Sequence, residues 1–182
     1  YSGMSGWAAE SVAAMEKLGL VPERLADRDL RTPITREEMC YVAVQAYEVY
    51  FGSLPELKET KPFTDTDDEA IAMAYQLGFA KGYTAGTFRP DQSLTRQEFF
   101  CLAYRFLLAT GCALAEPADL TPYSDGKRVS KWAREATQIM VALGVVKGNG
   151  ATTLDPTGTA SCEVALVLFY RAYTYAADQR SY

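Results

Sequence analysis

At 182 residues with a net charge of −5, the chain is long enough for a real core and lacks the basic excess that a broad nucleic-acid surface needs. It has no histidine, which removes the commonest general base, the usual catalytic triads and most zinc sites. The four cysteines, Cys40, Cys101, Cys112 and Cys162, show no CxxC spacing; three of them sit in or beside apolar helical patterns and read as buried free thiols, not as a disulfide framework, redox motif or metal centre. No stretch reaches membrane-spanning length, because the most apolar run, Val164 to Ala177, is interrupted by Arg171. The first residues carry no basic-then-apolar leader, so a signal peptide is either absent or already removed.

In chain order, Trp7-Ala8-Ala9-Glu10 opens a helical pattern that stops at Leu18-Gly19. A loop from Leu20 to Pro33 leads to a longer apolar helix, Thr35 to about Phe51, and a proline-bearing connector, Ser53 to Pro62. The order then recurs. Thr66-Asp67-Asp68-Glu69 runs to Leu77-Gly78 with Ala70, Ala74 and Leu77 at helical spacing, a loop carries Gly82, Gly86 and Pro90, and a helix spans Thr95 to about Thr110. After a second connector, Ala113 to Pro122, Trp132-Ala133-Arg134-Glu135 runs to Leu143-Gly144, a loop holds Gly148 and Pro156, and a last helix runs from Ser161 to about Ala176. Tyr104-Arg105 and Tyr170-Arg171 fall at equivalent places, and Glu10, Glu69 and Glu135 recur at one register as helix-start charges or partners for a repeat arginine. Three copies at a period of roughly sixty residues predict an all-α protein whose helix-loop-helix units share one core, since one unit cannot bury both apolar faces alone.

The stretch Gly82 to Phe99 concentrates the chemistry. Thr95 and Glu98 are spaced for a reciprocal capping box, as are Thr35 and Glu38. Arg96 stands in the first turn, where the helix dipole disfavours a cation. Two readings stay open: an anion docks there against exposed amides, or Arg96 pairs with a nearby carboxylate. A tryptophan near a helix start reads first as a core residue, and Asp65 and Asp125 read as caps of the short helices.

These units resemble S-layer homology (SLH) motifs. Phe63-Thr64-Asp65, Gly82, Gly86, Phe88, Pro90 and Leu94-Thr95-Arg96-Gln97-Glu98 carry the likeness in the middle copy. Tyr123-Ser124-Asp125, Trp132-Ala133, Gly148, Gly150, Leu154 and Pro156 carry it in the last, and Trp7-Ala8 with Ile34-Thr35-Arg36-Glu37-Glu38 in the first. The resemblance implies three motifs, 1–52, 63–112 and 123–178, in one all-α, pseudo-three-fold (three-pronged spindle) domain over 1–182. It implies a non-catalytic module without cofactor, a monomer fused to a larger surface protein on the bacterial cell wall. Its grooves would hold an anionic, pyruvylated secondary cell-wall polysaccharide.

On that resemblance Arg36 and Arg96 meet the pyruvyl carboxylate, with Lys81 and Lys147 as further cations. Trp7 and Trp132 offer a flat face to a sugar ring, Gly82, Gly86 and Gly148 let backbone amides approach, and Asp65 and Asp125 meet sugar hydroxyls. Cys162 replaces the arginine and Val164 the glutamate in the last copy, Thr66 replaces tryptophan in the middle one, and the first lacks the glycine loop. The grooves with Arg36 and Arg96 are therefore the ones expected to bind. A protein-assembly or scaffold module, or direct peptidoglycan binding, is the alternative.

Overall fold

Each long helix begins at a capping hydroxyl. The computed structural model describes residues 1–147 and 152–180, and among these are six α-helices and no extended strand. Three are short, α1 (Ala9–Lys17), α3 (Glu69–Gln76) and α5 (Arg134–Ala142), and three are long, α2 (Arg36–Phe51), α4 (Arg96–Thr110) and α6 (Cys162–Arg180). Thr35, Thr95 and Ser161 accept the amides of Glu38, Glu98 and Val164 at 3.2, 3.3 and 3.2 Å. Gly52 and Gly111 close α2 and α4 in the left-handed conformation, φ 87° and 72°, as a C-terminal glycine allows. The last helix passes its expected end at Ala176, and Arg180 donates to the Tyr50 carbonyl.

The short helices start by two different devices. A single 3-10 turn containing tryptophan, Gly6–Ala8 or Lys131–Ala133, feeds α1 and α5 without a side-chain cap. At α3 it is Asp68, not Asp65, that caps, taking the Ala70 amide at 2.8 Å. The expectation that Asp65 and Asp125 cap the short helices is thus corrected, because both reach into the following loop instead.

The unit that repeats in sequence is not the unit that packs. α2 packs on α3, α4 on α5, and α6 returns to α1, while α2, α4 and α6 also meet one another. Phe99, Phe100, Phe106 and Phe169 are fully buried. The Phe106 ring lies 5.0 Å from that of Phe169 and 5.9 Å from that of Phe79, joining the helices through offset aromatic contacts. Just ahead of the three long helices the backbone closes on itself: Ile34 N donates to Ala160 O (2.9 Å), Ala160 N to Leu94 O (3.1 Å) and Leu94 N to Ile34 O (3.0 Å). All three residues are buried, so the ring pairs backbone groups that would otherwise be orphaned in the core.

Gly82 is required by space. A Cβ there would overlap the Phe63 ring, itself packed 5.1 Å from the Phe88 ring. Gly82→Ala is expected to cost about 1–3 kcal/mol, typical of inserting atoms into a packed site, read from the urea unfolding midpoint.

Candidate ligand-binding groove

The amides at the starts of the long helices are all engaged. Arg36 N and Glu37 N donate to Gln92 O and Pro90 O at 2.9 and 3.0 Å, and Arg96 N and Gln97 N to Gly158 O and Pro156 O, both at 2.9 Å. Cys162 N and Glu163 N donate to Thr32 O and Leu30 O at 2.9 and 2.7 Å. The third amide of each helix goes to its capping hydroxyl. Of the two readings open for the helix at Arg96, an anion held on free first-turn amides does not apply: the next loop's carbonyls take the place an anion would need. The same bonds set the register of the first loop, in which Leu30, not Pro33, stands where Pro90 and Pro156 stand.

The two arginines resolve their unfavourable place in the dipole by leaving it. Arg36 is 9% exposed; its Nε donates to Phe88 O (2.9 Å), Nη2 to Lys81 O (2.8 Å) and Nη1 to Glu98 Oε2 (3.0 Å). Its guanidinium also lies 4.5 Å from the Phe88 ring centre and 4.9 Å from that of Tyr83. This corrects the capping box expected at Thr95. Glu98 takes the Thr95 hydroxyl (2.9 Å) and Arg36 in place of the Thr95 amide, whereas the Thr35–Glu38 box is complete. Arg96 repeats the reach, Nε donating to Leu154 O at 2.8 Å, but position 164 is valine and Arg96 has no carboxylate partner among the described residues. Burial lowers its pKa, with Asp155 and Asp125 pulling the other way.

At the third junction the arginine position is Cys162, buried beside Glu38. Arg28 supplies the missing cation from the loop, Nε and Nη2 reaching the two Glu38 oxygens at 2.6 and 2.9 Å. Burial pushes the Glu38 carboxyl up, yet Arg28 and Thr35 outweigh it and hold the pKa below the ordinary value. Arg28→Ala is expected to cost about 2 kcal/mol, the scale of a charged hydrogen bond with a buried partner left behind. Thermal unfolding followed by circular dichroism should fall by about 4–8 °C for a chain of this size. Adding Glu38→Gln should recover part of the loss.

Asp65 and Asp125 shape the loops. Asp65 accepts Phe88 N and Arg89 N, and Asp125 accepts Leu154 N and Asp155 N, all at 2.8 Å. Arg89 and Asp155 are the two non-glycine residues at positive φ, 57° and 48°, among the described residues. The carboxylates hold the chain in that strained bend. Gly86, at φ 76°, turns the loop tip and offers its carbonyl to Thr64 N at 3.0 Å. Lys81 and Lys147 are exposed, and Gly148 lies outside the described residues.

A cleft of about 140 Å³ opens where α2, α4, the 79–90 loop and the Trp132 turn meet. Arg36, Lys81 and Arg105 face it with one carboxylate, Glu98, over an apolar floor of Phe79 and Phe88. Trp132 forms one wall and is 62% exposed, and Trp7 is 58% exposed. The core reading of the tryptophans is corrected: in each turn the neighbouring alanine, Ala8 or Ala133, takes the inward position and the indole stays outside. Arg105 was missing from the expected set although its repeat was visible. It donates to Phe79 O (3.3 Å) and Arg171 to Val145 O (3.2 Å), while Gln45, at the same helix position, bonds the carbonyls on either side of the equivalent Leu20, Gly19 O (2.6 Å) and Val21 O (3.2 Å). Where Thr66 replaces tryptophan, the chain's own side chains cross the groove. Arg24 and Tyr41 both bond Asp68, at 2.6 and 2.7 Å, with Arg24 stacked 4.1 Å over the Tyr41 ring.

Comparison with known proteins places two stretches of the chain. Residues 62–100 and 122–161 match the S-layer homology domain. Over 94% of its length the chain is 28% identical to the "Surface-layer 125 kDa protein" of Lysinibacillus sphaericus, covering 14% of that protein. It is 33% identical over 57% of its length to the "Cellulosome-anchoring protein" of Acetivibrio thermocellus, 23% of which is covered. An "Amylopullulanase" of Thermoanaerobacterium thermosulfurigenes is 29% identical over 68% of the chain, which amounts to 6% of the enzyme. The chain therefore spans less than a quarter of each of these relatives. Among the described residues no helix is long and apolar enough to cross a membrane.

Proposed function

With residues 62–100 and 122–161 matching the S-layer homology domain, we propose that this chain is a non-catalytic anchoring module of a larger bacterial surface protein, holding an anionic secondary cell-wall polysaccharide. The observation that carries this reading is the cleft at Trp132. In a chain of net charge −5 it gathers three cations against one carboxylate beside an open indole. Lys81 and Arg105 form no ion pair with any described residue, whereas Arg36 is neutralised by Glu98. The two former side chains meet the polymer's carboxylates, of which pyruvate ketals are the class that fits, and the indole covers the apolar face of a sugar ring. Arg36 acts from behind, holding the loop that presents Lys81. Residues 1–52 act as a third, diverged motif, and the closed ring through Ile34, Leu94 and Ala160 supports a pseudo-three-fold arrangement. The groove at Arg96 and Lys147, with Trp7, is the second binding candidate, and the groove crossed by Arg24 is structural.

Co-sedimentation with purified sacculi tests the reading. The chain should bind intact sacculi, release progressively as salt rises, and fail to bind once the secondary polymer is stripped. Undiminished binding to stripped sacculi would assign the surface to peptidoglycan or protein instead.

A further inference from the structure

Residues 36, 96 and 162 open equivalent helices, so Glu37, Gln97 and Glu163 occupy one repeated place. Gln97 and Glu163 are polar yet buried. Their backbone amides go to Pro156 O and Leu30 O, which leaves the side chains to a second task. The Gln97 amide group spans Ser130: its Oε1 accepts Ser130 N at 2.9 Å and its Nε2 donates to Ser130 Oγ at 3.0 Å. Glu163 spans Ser5 in the same manner, Oε2 accepting Ser5 N at 2.8 Å and Oε1 accepting Ser5 Oγ at 2.6 Å. Ser130 and Ser5 each stand two residues before a tryptophan and open the 3-10 turns that carry Trp132 and Trp7, turns without a side-chain cap of their own. One helical turn beyond Gln97 on the same face of α4, Cys101 sets its Sγ 4.0 Å from Trp132 O, so residues 97 and 101 bracket the turn. At the third junction both parts differ. Glu37 lies near Asp91, Asp68 and Tyr41, while Thr64, at the place of Ser5 and Ser130, gives its amide and hydroxyl to Gly86 O. There the tryptophan position is Thr66.

The geometry points to Gln97 as the positioning residue for Trp132, and to Glu163 in the same role for Trp7. This inference rests on the polysaccharide reading above, which makes Trp132 a wall of the ligand cleft. An indole this open gains little packing of its own, so its place depends on the backbone turn beneath it. α4 supplies the facing wall through Glu98, Leu102 and Arg105, and the bonds from Gln97 to Ser130 therefore tie the two walls together. Gln97 stands outside the cleft lining and acts through the turn. Fixing the turn before a ligand arrives removes an ordering cost from binding. An amide and a carboxylate can share the task because the serine amide needs an acceptor, whereas its hydroxyl can either accept or donate. The clip is present at the two junctions that carry a tryptophan, and at the one without it residue 37 is turned to other partners.

The test reads the order of each indole directly, through the heteronuclear NOE of its ring N–H in nitrogen-15-labelled protein, beside co-sedimentation with sacculi. Gln97→Met keeps an unbranched side chain and removes both bonds to Ser130. It should lower the NOE of Trp132, leave that of Trp7 unchanged, and weaken sacculus binding about two- to tenfold, the scale of ordering one freed side chain. Gln97→Glu, which copies the arrangement of Glu163 on Ser5, should restore the order of Trp132 and recover part of the binding. Glu163→Met should give the mirror result, loosening Trp7 alone. Should Gln97→Met fail to fold, Ser130→Ala removes the hydroxyl bond from the surface side and should shift Trp132 in the same direction by less. An unchanged Trp132 signal in Gln97→Met, or equal loosening of both indoles, overturns the positioning role. So does weakened binding with Trp132 still ordered, which would place Gln97 on the polymer itself, or full binding with Trp132 loosened. If the unaltered chain fails to bind sacculi, the anchoring reading falls, and the NOE pattern still decides the clip.

Discussion

Arg36→Ala is expected to lower stability by about 3–5 kcal/mol, the scale of breaking a buried charge pair. That is a large part of the 5–15 kcal/mol that holds an ordinary domain together. The guanidinium ties three groups at once, Phe88 O, Lys81 O and the Glu98 carboxylate, and two of them belong to the loop that faces the cleft. Alanine leaves the partly buried Glu98 without its cation and frees the 81–88 backbone. Arg36→Lys keeps the charge but not the planar fork that spans those partners, so it should recover only part of the loss. Urea unfolding gives the stability, and sacculus binding should fall in parallel because Lys81 and the loop move with it. Binding lost without any change in unfolding would show that Arg36 meets the ligand directly.

The second large effect is opposite in kind. Trp132→Ala should reduce binding to intact sacculi at least tenfold and leave the melting temperature within about 1–2 °C, since a side chain this exposed removes little packing when truncated. Removing the indole takes away one wall of the cleft and its most exposed apolar surface. Trp7→Ala makes the comparison: that indole is almost as exposed but belongs to the groove proposed above as the second candidate, so its loss should weaken binding less.

Much of the fold was legible because it depends on local rules. The stops at Gly19, Gly78 and Gly144 and the caps at Thr35 and Thr95 follow from backbone freedom and hydroxyl chemistry, and the structure uses each in that role. The site was harder to read, since its partners are distant in the chain. That Arg36 reaches Phe88 and Glu98, or that Arg28 stands in for an arginine at Cys162, depends on which helix start meets which loop. Helical spacing says nothing about that pairing. The inward face of a short turn was misread for a related reason: Trp-Ala holds one buried and one exposed side chain, and hydrophobicity alone selected the wrong one. The Asp65 and Asp125 carboxylates were assigned to the nearest helix although they bind amides of the following loop.

Trp7→Phe leaves Trp132 as the sole tryptophan, so its fluorescence reports the groove alone. Titrated with solubilised secondary cell-wall polymer, this variant should show a saturable change in emission that weakens with salt and disappears with polymer whose pyruvate has been removed. A variant that still binds intact sacculi while its indole emission stays unchanged would contradict the account.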